Sequence, residues 1–205
     1  MNSQRILMSN LFRVVLIALL LSGCLGRSAP KVTYFSLLSM ADMGERQTVA
    51  ALSAVHLGIG PVTIPDSLKR PQIVTRSRGN QHAFDEFNRW AGVLEQDIAA
   101  VLADNLDPLL GIDTVAVFPW GRYFQPTFRV VVDIQQLDGD LTGEAVLRAR
   151  WTVADAEGKK LLASDRSVHA QPLEEATFAA LVRAESRLLA ALSRDIAVAI
   201  AAMAE

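Results

Sequence analysis

The chain has 205 residues, 51% of them apolar and 20% charged, which excludes a disordered or collagen-like polymer and suffices for one compact domain whose core needs no staple. Its 20 Lys and Arg against 22 Asp and Glu give a net charge of −2, so there is no global electrostatic case for nucleic acid as a partner. A single cysteine excludes an internal disulfide and any multi-cysteine metal site.

Residues 1–23 read as a leader. Arg5 and Arg13 form a basic region without acids, followed by the uninterrupted apolar run Val14 to Leu21. At 1.5 Å rise per residue that run spans roughly 12 Å, against roughly 30 Å of hydrocarbon, so it suits a signal peptide and not a membrane span. The sole cysteine follows in Leu21-Ser22-Gly23-Cys24, which resembles the lipobox of bacterial lipoproteins. A thiol is needed to take a diacylglyceryl group, and the small Ser22 and Gly23 leave room for a peptidase cutting before Cys24. The expected organisation is a lipoprotein signal peptide over 1–23, a lipidated tether over 24–30 and a single domain over 31–205. The lipid on Cys24 is the only covalent addition expected, with no other cofactor and no metal. Two or more acyl chains, at about 0.8 kcal/mol per buried methylene, hold a protein on a bilayer where one does not. Leu25 stands where enterobacterial sorting places an Asp for inner-membrane retention, which points to the periplasmic face of the outer membrane.

Along the domain, Val32 to Leu38 predicts a strand and Met40 to Val49 a loop. Val55, Leu57 and Ile59 alternate with His56, Gly58 and Gly60, a strand on which the glycines suggest close approach of another backbone. Pro61, Pro65 and Pro71 break any helix and limit ladder pairing before a short strand at Gln72 to Thr75, a turn at Arg76 to Asn80, and a second strand at Gln81 to Phe84. Asp85 is placed to cap a helix with apolar positions Phe87, Trp90, Leu94, Ile98, Val101, Leu102 and Leu106, ended by Pro108 and Gly111. Thr114 to Phe118 reads as a buried strand. Strands centred on Phe128 to Ile134, Ala145 to Val153 and Lys160 to Val168 form a meander, and a terminal helix runs from about Ala176 to about Met203. The fold class is α+β: two layers, with a mainly antiparallel sheet covered on one face by two long amphipathic helices.

Chemistry-bearing patterns are sparse. Gly58-Ile59-Gly60 runs into Pro61 and lacks the dinucleotide fingerprint; His56, His82 and His169 lie in separate strands without metal-ligand spacing; no GxSxG elbow occurs. Asp133, Asp138, Asp140 and Glu144 cluster at a hairpin, where acids solvate a turn, and Trp90, Trp120 and Trp151 each sit in an apolar pattern that predicts core packing. No catalytic residue emerges. One segment reads as a partner contact: prolines stiffen Pro61 to Arg76, Lys69, Arg70 and Arg76 supply cations for acidic residues or lipid phosphates, and Leu68 and Ile73 supply apolar anchors. The competing reading has Arg70 and Arg76 pairing with acids of the same chain while the prolines pin a sheet edge.

LSGC at Leu21 to Cys24, YFSL at Tyr34 to Leu37, GIGPVTIPDSLKRPQIVTR at Gly58 to Arg76, EFNRWAGVLEQDIAAVLADNL at Glu86 to Leu106, VAVFPW at Val115 to Trp120 and RVVVDIQQLDG at Arg129 to Gly139 together resemble the PqiC-like ABC-type transport auxiliary lipoproteins. The resemblance implies a non-enzymatic outer-membrane lipoprotein, an accessory of MCE-type lipid transport between the inner and outer membranes. It also implies an MCE-domain periplasmic or inner-membrane protein as partner, with phospholipid and further copies of the same chain as additional partner classes. It carries over Cys24 alone with a definite role. A structural or assembly lipoprotein of the envelope is the alternative, and a tethered hydrolase would need a clustered nucleophile and base that the scattered histidines do not provide.

Overall fold

The computed structural model describes residues 30–76, 81–112 and 114–204. Cys24 and the leader lie outside them. The elements are β1 (Thr33–Phe35), β2 (His56–Thr63), β3 (Gln72–Arg76), β4 (His82–Trp90), α1 (Leu94–Leu110), β5 (Thr114–Val117), β6 (Phe128–Gly139), β7 (Glu144–Asp155), β8 (Leu161–Pro172) and α2 (Phe178–Ala204). All eight strands join one sheet. β6 is its axis: β7 pairs antiparallel along its length, β2 pairs parallel with its first half, and β3 touches its end at Thr75 and Gly139.

The α+β class is as expected, but the sheet is mixed and not mainly antiparallel. β6–β7, β7–β8 and β3–β4 are antiparallel, whereas β1–β4, β2–β5, β2–β6 and β3–β6 are parallel. The parallel joins link segments far apart in the chain, which hairpin patterning does not report. The helices are also unequal, 17 residues in α1 and 27 in α2.

Period-two alternation decides which face each strand buries. Leu57, Ile59, Val130, Val132, Leu147, Ala149 and Val153 are 0% exposed and meet the apolar stripes of the helices, where Leu102, Leu106, Leu192 and Ile196 are equally dry. Fully burying one such side chain stabilises the fold by about 1.5–3 kcal/mol. The intervening residues, Arg129, Val131 and Asp133 on β6 and Arg148, Arg150 and Thr152 on β7, face away from the helices and stay half-buried or exposed. Among the described residues no helix is long and apolar enough to cross a membrane.

Several expectations are corrected here. Asp85 does accept the amides of Phe87 and Asn88, both at 2.8 Å, the bonding of a helix cap. The chain nevertheless continues extended, because β1 pairs with Asn88 to Trp90 and Gln72 pairs with Arg89. The helix starts nine residues later, at Leu94. At its other end Pro108 lies inside the last turn. The carbonyls of Leu109 and Leu110 accept amides of Val49, Ala50 and Leu52 at 2.7–3.1 Å, and both side chains are fully buried, so tertiary contacts hold the turn that the proline weakens. Gly111, left-handed at φ 56°, caps it as expected. β2 likewise runs on through Pro61, its register with β6 slipping between Ile59 and Val62 before pairing resumes.

Candidate functional site

On the face of the sheet opposite the helices, the segment from Phe118 to Thr127 folds back over β2. Its ends are pinned there: Phe118 N–H donates to the Ile59 carbonyl (2.8 Å), and Thr127 N–H to that of His56 (2.7 Å). The two glycines of β2 make this possible. A Cβ on Gly58 would lie 3.0 Å from Trp120 Cζ3 and 3.3 Å from Pro126 Cβ; one on Gly60, which sits at φ 115°, would lie 2.9 Å from Phe118 Cβ. The close approach expected from the sequence is thus made chiefly by side chains of this loop.

The loop presents an aromatic cluster. Trp120 meets Phe118 edge-on at 5.4 Å and Phe124 at 5.9 Å, while Tyr123 is 88% exposed under the Arg122 guanidinium. Trp90 and Trp151 are core residues as expected; Trp120 is not. Between this loop and the β7–β8 turn lies an open cleft of about 370 Å³, walled by Pro61, Phe118, Trp120, Val131 and Leu161 and flanked by Arg129 and Lys159. The Arg129 guanidinium lies 5.4 Å from the Trp120 ring centroid, and its Nε is buried without a hydrogen-bond partner.

Farther along the same face the cations continue. Arg150 on β7 stands directly opposite Arg166 on β8, with Arg148 one strand repeat away, and all three are exposed. None has a carboxylate within 4.0 Å among the described residues. Asp133, the residue opposite Arg150 on β6, accepts instead from Thr63 Oγ1 at 2.7 Å. A like-charge pair facing across two strands is destabilising, so this surface is not arranged for stability alone. Sequence reading missed it. The period-two alternation of Arg129, Val131, Asp133 and of Arg148, Arg150 was visible, but placing Arg166 opposite Arg150 required the β7–β8 register.

The contact segment read from the sequence is only partly available. Leu68 and Ile73 are 3% and 0% exposed and belong to the core, Ile73 on β3, an inner strand of the sheet, and Leu68 in the turn before it; they are not surface anchors. Arg76 is consumed within the chain: its Nε and Nη2 donate to the Asp138 carboxylate at 2.9–3.1 Å, and that carboxylate is 3% exposed. Asp138 therefore does not solvate a turn. Close to it Glu185 of α2 is fully buried, its Oε2 unpartnered, and its carboxyl is pushed well above the usual range by burial first and the Asp138 charge second. Lys69 is exposed and pairs with Asp66 at 3.0 Å, and Arg70 stacks on the exposed Phe84 ring at 3.9 Å; both border a second cleft of about 300 Å³ beside Val93 and Glu95. Cys24 lies outside the described residues.

One constellation that the sequence left scattered is brought together. His169 Nε2 lies 2.7 Å from Asp195 Oδ2, Ser167 Oγ donates to the same oxygen, and Trp151 Nε1 donates to Ser167 Oγ at 3.0 Å. In a nucleophilic relay the serine would donate to the imidazole. Here it donates to the aspartate from a buried position, and the three side chains tie β8 to α2. No group of three or more His, Cys, Asp or Glu placed to hold a metal occurs among the described residues.

The family profile of the ABC-type transport auxiliary lipoprotein component matches residues 37–197. This chain belongs to that family. A search against curated proteins gives no match. Two crystal structures share the fold of the auxiliary lipoprotein domain. One, of a protein from Xanthomonas campestris, superposes with a TM-score of 0.68 at 14% identity over 84% of this chain and 98% of its own. The other, of an uncharacterised protein, gives 0.67 at 21% identity over 83% and 99%.

Proposed function

We propose that this auxiliary lipoprotein is a non-enzymatic component of an MCE-type lipid transport system between the inner and outer membranes. In this reading acyl chains on Cys24 hold it at the periplasmic face of the outer membrane, while the folded domain docks an MCE-domain protein. The observation that carries the reading is the open face of the sheet. Both helices cover the other side, and this face is left with exposed aromatics, a cleft and arginines that have no carboxylate within 4.0 Å among the described residues. Such a surface gains from an acidic or anionic counterpart.

The test is detergent extraction of native envelopes and capture through a C-terminal tag on the full chain, with bound proteins identified by mass spectrometry. An MCE-domain protein, lost on Arg150→Glu with Arg166→Glu, is expected. Capture of the chain with envelope assembly proteins and no MCE-domain protein would instead make it an assembly lipoprotein. The same preparation should yield an N-terminal peptide beginning at acylated Cys24, and an unmodified chain beginning upstream of Cys24 would remove the anchor from the proposal.

A further inference from the structure

We infer that the cleft beside Trp120 binds the phosphate headgroup of an anionic phospholipid, with Arg129 holding the phosphate; this rests on the lipid-transport reading only for the source of the lipid. Arg129 is a charged group with unused capacity. Its Nε is buried and unpartnered, and no carboxylate lies within ion-pair distance among the described residues. The nearby acid of the β7–β8 turn, Asp155, accepts the amides of Lys159 and Lys160 at 2.8 and 3.2 Å and acts on Arg129 only at longer range. A guanidinium offers a planar fork of donors that matches phosphate oxygens, and the Trp120 ring keeps this one in place. Lys159 at the mouth is paired only with Glu157, both largely in water, so its ammonium exchanges partners readily.

The other half of the cleft is apolar. Phe118 and Leu161 are 52% and 61% exposed, and with Pro61 and Val131 they form a greasy wall beside the cations. An acidic protein segment would satisfy Arg129 and leave that wall in water, and a purely apolar ligand would bury Arg129 Nε still unpaired. An amphiphile serves both halves. About 370 Å³ accommodates a headgroup and the first chain methylenes, with the acyl ends outside.

The full chain, purified in nonionic detergent, is offered equimolar dioleoylphosphatidylglycerol, dioleoylglycerol and inorganic phosphate, and bound species are read by native mass spectrometry. One phosphatidylglycerol per chain is expected, retained at least about ten-fold over the other two; Arg129→Gln lowers it at least about ten-fold. Arg183→Gln, the same charge change at an exposed position of α2, retains it. If Arg129→Gln melts early, Arg129→Lys keeps the charge without the fork and should still lose binding several-fold. Undiminished retention in both Arg129 variants, equal retention of dioleoylglycerol, or displacement by inorganic phosphate at equal concentration each overturns the inference. Capture of the MCE-domain partner is scored on the same variants. Absence of lipid with the partner retained overturns this site alone, and absence of the partner with lipid retained overturns the docking reading alone.

Discussion

Glu185 is an ionisable group that the fold buries, and its removal should stabilise the protein in a pH-dependent way. It sits on α2 at 1% exposure with Oε2 unpartnered, and Asp138, paired with Arg76, adds like charge. Both effects raise its folded pKa above the ordinary 4.5. At pH below 4.5 the carboxyl is protonated folded and unfolded, and nothing is lost. As pH rises past 4.5 the unfolded chain releases a proton that the folded chain keeps, so stability falls, by at most about 1.4 kcal/mol per pH unit, until the folded pKa is reached and the loss levels off. Glu185→Gln removes this loss and keeps the volume. The variant should match the wild type near pH 4 and exceed it progressively towards pH 8, by at most about 1.4 kcal/mol for each pH unit above 4.5. Denaturant midpoints of the full chain at pH 4, 6 and 8 measure it, with Glu185→Met as a second, apolar replacement. Parallel pH profiles for wild type and both variants would show that Glu185 finds a partner or water, and the reasoning would fail.

Arg76→Gln leaves the Asp138 carboxylate buried beside Glu185 without its cation, and should cost about 3 kcal/mol, low in the range for breaking a buried pair because Arg76 is one-third exposed. A thermal melt should fall by roughly 6–12 °C, whereas Lys69→Glu with Arg70→Glu, on the exposed loop, should shift it little. Gly58→Val drives a Cβ into the Trp120 ring, so acrylamide should quench tryptophan emission more strongly and stability should drop by about 1–3 kcal/mol; unchanged quenching would mean that the loop does not rest on β2. Arg166→Glu replaces a like-charge pair facing Arg150 by an opposite one, and its denaturant midpoint should rise by the equivalent of about 0.2–1 kcal/mol.

What the sequence disclosed follows the range of each signal. The β6–β7–β8 meander was readable because alternation and turn residues are local, but its register was not, since both hairpins slip, between Ile134 and Gln136 and between Val153 and Ala154. The start of α1 was misread because the side-chain bonding of Asp85 is the same in a cap and in the irregular stretch of β4; a strand from more than fifty residues earlier, β1, decides between them. The parallel joins of β2 to β5 and β6, and the burial of Ile73 that follows from β3 lying inside the sheet, depend on long-range order in the same way. Arg70 and Arg76 looked equivalent in sequence. Only the position of Asp138 beside β3 separates Arg70, stacked on the exposed Phe84 ring, from Arg76, paired within the fold.

The two faces of the sheet divide the work of the molecule. On the helix side, polar groups are few and mostly tied into pairs: Asn105 bridges the Met40 amide and Ser193, and Ser167, His169 and Asp195 join strand to helix. On the open side the reverse holds, since β2 gives up two side chains at Gly58 and Gly60 so that Trp120 and Phe118 can fold over it, and Arg129, Arg148, Arg150 and Arg166 have no carboxylate within 4.0 Å among the described residues. The like-charged arginines lower the stability of the isolated chain by a fraction of a kcal/mol to about 1 kcal/mol, against a total of about 5–15 kcal/mol. A chain under pressure for stability alone would exchange them by single substitutions such as Arg166→Glu. Their concentration on the one face that the helices leave uncovered, next to an amphipathic cleft, is what an anionic counterpart at that face explains, and no requirement of the fold does.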